Sequence, residues 1–274
     1  MSRSIKLVAM DIDGTLLGKS KKLTEYTRNV LKQAGEQGIH LVIASGRALK
    51  AIPEWLLNIE GMEYVITSNG SSVFRLSDQK RMYGKDLEKN QIQSLLAFYK
   101  EWGCPMEVFI HGEAYASLEY YRHPEYYGAS EAGVEYVHTT RKPVENLERF
   151  VEENQERIEG INYIVKNPTK KQQMREALAG IKDIYVTSSV PRYIEVSHGS
   201  VCKRNAIDWL AKYLHIYIEE IAAFGDGEND LEMIEYAGYG VAMGNAVEIL
   251  KEVADRVAPS VDEDGVASVI KEFF

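Results

Sequence analysis

Cysteine, long apolar runs and basic charge are all in short supply in this chain, and each shortage closes off a class of answers. Its two cysteines, Cys104 and Cys202, lie far apart and make no C-x-x-C or related ligand spacing, so reduced thiols in a cytoplasmic protein are expected. The six histidines, His40, His111, His123, His138, His198 and His215, show no helical or turn-like ligand spacing, which leaves zinc unsupported. No G-x-S-x-G surrounds a serine, so the usual serine-hydrolase turn is missing. The apolar stretches, such as Leu7–Met10 and Leu41–Ala44, are strand-sized and far below the roughly 20 residues that span a bilayer. Met1 to Lys6 carry charge with no long apolar run after them, so neither a secretory signal nor a membrane span is expected. With a formal net charge of −9 and a pI near 5.3, the chain lacks the basic footprint that nucleic acid or an anionic membrane would need.

What is present is a globular chain of 274 residues with ordinary glycine and proline counts and no internal repeat, long enough for one large domain or two ordinary ones. Short apolar runs alternate with amphipathic segments at both ends, the pattern of βαβ units around a parallel sheet. Ile5–Met10 reads as a buried strand ending on Asp11. Thr24 then offers an N-cap for a helix whose stripe is Val30, Leu31 and Ala34. Strands are expected at Ile39–Ala44, Tyr64–Thr67, Ile221–Phe224 and Gly240–Met243, with helices at Ala48–Leu57 and Cys202–Tyr213. From about Tyr83 to Tyr193 the texture changes to charged helices, Glu145–Ile158 and Lys170–Leu178, among alternating strands. The expected fold is therefore α/β: a Rossmann-like doubly wound parallel-sheet core, residues 1–82 and 194–274, with an inserted α+β domain at residues 83–193.

In an open parallel sheet, ligands bind outside the carboxyl ends of the strands. Four polar clusters fall at such ends or at a helix start: Asp11-Ile12-Asp13-Gly14-Thr15, Ser45-Gly46-Arg47, Lys203, and Gly225-Asp226-Gly227-Glu228-Asn229-Asp230. Each alone has an ordinary reading as turn or cap chemistry; their ordered combination is specific. Several carboxylates gathered together call for a cation, and an oxygen-only donor set suits Mg²⁺. An EF-hand is excluded, because position six after Asp226 is Leu231 and after Asp11 is Leu16, where that loop needs glycine. Lys203 can balance a substrate phosphate. Asp11 at a strand tip is placed to attack phosphorus as a covalent nucleophile, and Asp13 to act as acid and base. Gly14 permits a sharp turn with N–H groups facing phosphate, and Ser45 can donate to a phosphate oxygen, with Gly46 keeping space beside it.

On these motifs the chain resembles the haloacid dehalogenase superfamily, and more narrowly its Cof-like phosphatases with a large cap inserted between the second and third motifs. The resemblance implies Asp11 as nucleophile and metal ligand, Asp13 as acid/base with its backbone carbonyl on the metal, and Asp226 as second carboxylate ligand of Mg²⁺. It implies that Ser45 and Lys203 hold phosphate, and that Asn229 and Asp230 orient Lys203, metal waters or substrate. Asn69 in Ser68-Asn69-Gly70 matches an Asn-Gly turn of this branch. The expected site is thus Asp11, Asp13 and Lys203 for catalysis; Thr15, Ser45, Gly46, Arg47, Asn69 and Asn229 for phosphate or substrate; and Asp11, Asp13, Asp226 and Asp230 for metal. One departure is Arg204, where the family usually has glycine after the lysine. The expected activity is Mg²⁺-dependent hydrolysis of a small phosphomonoester such as a sugar phosphate, by a monomer or homodimer; a phosphosugar mutase or a non-catalytic phosphate-ligand binder are the alternatives. Tyr115, Tyr120, Tyr121, Tyr126, Tyr127 and Tyr136 could stack on a ring in the cap, with ordinary packing the plainer expectation.

Overall fold

Leu7–Met10 is apolar at every position and wholly buried, which a strand tolerates only when both of its faces are covered, as in a parallel sheet flanked by helices. The computed structural model describes residues 4–274. In chain order it forms β1 (Leu7–Met10), β2 (His40–Ala44), β3 (Met62–Thr67), β4 (Ser72–Arg75) and β5 (Lys80–Gly84). Then come β6 (Met106–Ile110), β7 (Glu113–Ser117), β8 (Arg141–Val144), β9 (Ile158–Ile164), β10 (Ile184–Thr187) and β11 (Tyr193–His198). Last are β12 (Ile221–Gly225), β13 (Tyr239–Ala242) and β14 (Arg256–Val257).

Two units divide the chain. The first takes in the residues up to Gly46, then Ile52–Tyr83 and Cys202–Phe274. Its sheet runs β14-β13-β12-β1-β2-β3-β4-β5, with β14 to β3 parallel throughout and β4 antiparallel to β3. This is the doubly wound α/β core expected from the sequence. The strand order reverses at β1, which lies between β2 and β12; that reversal opens a crevice at the carboxyl ends of both. The helix Glu25–Glu36 begins as its sequence requires: the Thr24 hydroxyl accepts from the Thr27 N–H, and Thr27, Val30, Leu31 and Ala34 form the buried stripe.

The second unit comprises Arg47–Ala51 and Gly84–Val201. Its sheet runs β10-β11-β9-β6-β7-β8. Met106, Val108, Ile161, Tyr163, Ile194 and Val196 pack against Ile92, Leu95, Met174 and Leu178 of the helices Lys89–Trp102 and Pro168–Leu178. Inside it, Arg141 donates from Nε and Nη2 to both oxygens of Glu107 at 2.9 and 3.0 Å, and both side chains are buried. Four of the tyrosines are held in packing, Tyr120 hydroxyl to Tyr193 hydroxyl, Tyr115 on Phe150, Tyr121 on His138 and Tyr127 on Tyr120, while Tyr126 stays exposed and stacks on His123.

Several boundaries differ from the sequence reading. β11 pairs with β9 and β10, so the second unit continues to Val201 past the expected limit at 193, and it also takes Arg47–Ala51. The helix expected at Ala48–Leu57 is a 3₁₀ turn, Leu49–Ala51, and a short helix, Glu54–Leu57; Pro53 between them has no N–H to give and disfavours helix at Ile52. The helix expected at Glu145–Ile158 shortens to Leu147–Glu153, because Ile158 is drawn into β9 beside β6. Among the described residues no helix is long and apolar enough to cross a membrane.

Candidate active site

Asp11 and Asp226 come together because β1 and β12 are adjacent, parallel and in register. Asp11 follows β1 directly and its N–H donates to the Phe224 carbonyl at 3.0 Å; Asp226 follows Gly225, the last residue of β12. On the other side, Ser45 follows β2, donates its N–H to Ile66, and accepts from the Asn69 N–H at 3.1 Å. After β3 the chain turns through Ser68, Asn69 and Gly70 at φ of 50°, 56° and 104°, a left-handed stretch that costs about 1–2 kcal/mol at each non-glycine residue. Glycine is required at its end, because a Cβ on Gly70 would sit 2.3 Å from the Cys202 carbonyl oxygen. The turn brings Asn69 to Asn229, whose Nδ2 donates to the Asn69 Oδ1 at 3.0 Å.

Lys203 opens the helix Lys203–Leu214, an end where the helix dipole opposes a cation. Two carboxylates offset that: its Nζ donates to Asp11 Oδ1 at 2.7 Å and to Asp230 Oδ1 at 2.6 Å, and its side chain is fully buried. Asp230 uses its other oxygen to accept the N–H groups of Asp226 and Gly227, both at 2.9 Å. Thr15 donates to Asp226 Oδ1 at 2.9 Å. Burial pushes the Asp11 carboxyl up to about 8, against the pull of Lys203 and with Asp230, Asp226 and Asp13 adding to the rise. Asp226 is pushed up to about 7, by burial first and then by Asp230. Burial works against the Lys203 ammonium, but Asp11 and Asp230 outweigh it and hold the group above the ordinary lysine value. All three shifts express one imbalance: three acids share a single buried base.

A divalent cation fits this imbalance. Asp11, Asp226 and Asp230 each present an oxygen within 4.8 Å of the others. The bonds just described engage both oxygens of Asp230 but only Oδ1 of Asp11 and of Asp226. Those two carboxylates therefore each keep Oδ2 outside these bonds, and hard oxygen donors of this kind suit Mg²⁺. Gly14, at φ 91°, lies so close that a Cβ there would meet Asp226 Oδ2 at 2.1 Å. The site's surroundings thus exclude any side chain at position 14.

The family model of haloacid dehalogenase-like hydrolases matches residues 8–270 of this chain. The chain belongs to that family. Among its relatives, the 5-amino-6-(5-phospho-D-ribitylamino)uracil phosphatase YcsE of Bacillus subtilis is 29% identical over 274 residues, covering 98% of this chain and 96% of that one. A solved haloacid dehalogenase-like hydrolase from B. subtilis superposes with a TM-score of 0.84 at 27% identity, covering 98% of this chain and 100% of the other. The subclass IIB sugar phosphatase BT4131 does so with a TM-score of 0.80 at 25% identity, covering 98% of each chain.

Within this hydrolase, most of the residues expected from sequence meet: Asp11, Thr15, Asp226, Asp230 and Lys203 in one bonded group, with Ser45, Asn69 and Asn229 linked beside it. Asp13 and Arg47, also expected at the site, make other contacts. The Asp13 carboxylate pairs with Lys21 at 2.5 Å on a part-exposed face, outside the three-carboxylate group. Arg47 belongs to the second unit, its guanidinium 4.9 Å from the Tyr136 ring and donating to the Ala51 carbonyl. Arg204 lies over Tyr236, whose hydroxyl donates to Asp208. The sequence reading missed Asn245, whose side chain reaches the Gly14 carbonyl; a lone Asn after a strand carries no periodic or spacing signal.

Proposed function

We propose that the protein is a phosphatase that hydrolyses a small phosphomonoester, a sugar phosphate or similar metabolite, through an aspartyl-phosphate on Asp11. The observation that carries this is the Asp11 carboxylate, with one oxygen held by Lys203 and the other outside that bond beside Asp226. Oδ2 of Asp11 attacks phosphorus and the bond to the ester oxygen breaks, while Asp13 gives a proton to the departing alkoxide. Water then attacks the same phosphorus, leaves its proton on Asp13, and breaks the bond to Asp11. Lys203 holds Asp11 in place and balances charge, with Asp230 orienting it. Ser45 donates to the phosphate, and Asn69 and Asn229 brace that side. Asp11, Asp226 and the Asp13 backbone carbonyl would hold Mg²⁺, with Asp230 supporting them. When bound, that ion neutralises the carboxylates and the phosphate charge that grows in the transition state.

A sugar or ribityl phosphate is the class that fits relatives named as a sugar phosphatase and a phosphoribitylamino-uracil phosphatase. Substrate choice is assigned to the second unit as a cap, because the motifs of the first unit read only phosphate. A cytoplasmic location fits Cys104 and Cys202, both buried and free thiols. The test is phosphate release from a panel of phosphorylated metabolites with Mg²⁺. Asp11→Asn abolishes release in a folded protein, and Asp13→Asn lowers it by about 10²–10⁴-fold. Near-normal release by Asp11→Asn, or in excess EDTA, would overturn the covalent route or the metal respectively.

A further inference from the structure

Asn245 follows β13 and is exposed, yet its side chain ties the Gly14 turn, which bears the site, to the backbone at Val261. Its Nδ2 donates to the Gly14 carbonyl at 2.8 Å, and its Oδ1 accepts the Val261 N–H at 2.9 Å. A carbonyl can only accept and an N–H can only donate, so one orientation of the amide satisfies both partners and the flipped one satisfies neither. The Gly14 N–H is already committed to the Leu17 carbonyl at 2.9 Å. Because the Gly14–Thr15 peptide is planar and trans, fixing its carbonyl oxygen toward Asn245 turns the Thr15 N–H the opposite way. The same residue, Thr15, holds Asp226 Oδ1 through its hydroxyl.

The tail of β13 also grips Asp226 from its backbone. The Val247 N–H donates to the Asp226 carbonyl, and the Met243 N–H to Gly225, both at 3.0 Å. One five-residue stretch, Met243 to Val247, therefore contacts the turn after β1 through a side chain and the turn after β12 through main chain. We propose that Asn245 is a positioning residue for the Asp11–Asp226 pair, setting the placement of the Asp11–Thr15 turn against Asp226 and hence the grip on Mg²⁺ and the rate. The proposal rests on the phosphatase reading above.

The variants are Asn245→Ala, which removes both bonds, and Asn245→Asp, which keeps the acceptor for Val261 but loses the donor to Gly14. Two readouts apply: steady-state phosphate release with the best ester found for the parent protein, and the rise in Tm caused by MgCl₂ alone. Both variants are expected to lose about 10–100-fold in kcat, the usual effect of removing a group that orients ligands. KM for the ester stays close to the parent value. The Mg²⁺ half-saturation rises, and the Tm gain at a fixed MgCl₂ concentration shrinks, while Tm without metal stays near the parent value because Asn245 is exposed. Parent-like kcat and a parent-like Mg²⁺-induced Tm gain in either variant would overturn the proposal. If the parent protein releases phosphate from no ester, the phosphatase reading fails, and the Tm gain still decides the role of Asn245.

Discussion

Replacing Lys203 with methionine removes the buried ammonium while keeping an unbranched side chain of similar volume. Its Nζ lies 2.7 Å from Asp11 and 2.6 Å from Asp230, and none of the side chain is exposed. Without it, two carboxylates share the site with Asp226 and have no compensating charge. Breaking a buried ion pair by removing one partner costs about 3–5 kcal/mol, and in a chain of this size each kcal/mol moves Tm by about 2–4 °C. K203M should therefore melt about 6–20 °C below the parent in EDTA at about pH 8.5. The sign with pH follows from the carboxyls. Their folded-state values lie above the unfolded ones and rise further in K203M, so stability present at low pH is lost as pH rises. The gap between variant and parent should narrow at about pH 6, where protonation of Asp11 relieves the repulsion. Thermal unfolding by circular dichroism at the two pH values reads this directly. A K203M protein as stable as the parent at the higher pH would refute the view of Lys203 as the charge that holds the acids together.

The same acids predict how the metal-free protein responds to pH. With Asp11 pushed up to about 8 and Asp226 to about 7 from 3.8, the folded state binds more protons than the unfolded, so stability in EDTA falls as pH rises through that window. Mg²⁺ at about a hundred times its Kd should add about 2.7 kcal/mol, on the order of 5–10 °C in Tm, and add more at pH 8 than at pH 6; a gain that is flat or reversed with pH would sink the assignment of Asp11 and Asp226 as ligands. Gly14→Ala should lose turnover and about 1–3 kcal/mol of stability, since its Cβ would meet Asp226 Oδ2 at 2.1 Å. Gly38→Ala is the control, with a similar φ of 82° but nothing within 4 Å of its Cβ; equal loss of turnover in both would show that backbone strain, not the clash with Asp226, is responsible.

Much of the first unit was legible because its signals are local. The apolar run before Asp11, the Thr24 cap and the stripe Val30, Leu31, Ala34 all follow from one stretch of chain and recur in the structure. Asp11, Lys203, Asp226 and Asp230 were legible as a set because each ends a strand or opens a helix, and a doubly wound sheet sends such positions to one rim. The partners were not. Thr15 to Asp226 and Asn229 to Asn69 join residues more than a hundred positions apart, and nothing in the spacing specifies which polar groups will pair. Asp13 shows the same limit from the other side: its place next to Asp11 was plain, but its salt bridge with Lys21 depends on the path of the loop through Leu17. Ile158 sits at the end of a stretch whose local charge pattern favours a helix, yet pairing with β6 draws it into a strand, a case of tertiary contact overriding local preference.

By itself, then, the amino-acid order determined the alternating elements and the acidic turns, since periodicity and capping act over a few residues, and the order of the clusters offered Lys203 as a lysine that could balance them. Only the tertiary structure decided that this lysine would stand between Asp11 and Asp230 rather than beside either alone, that Arg47 and Arg204 would stack on tyrosines, and that Asn245 would close on Gly14. Those outcomes depend on how strands separated by long stretches of chain are laid side by side, and on where desolvation makes an unpaired charge too costly to keep.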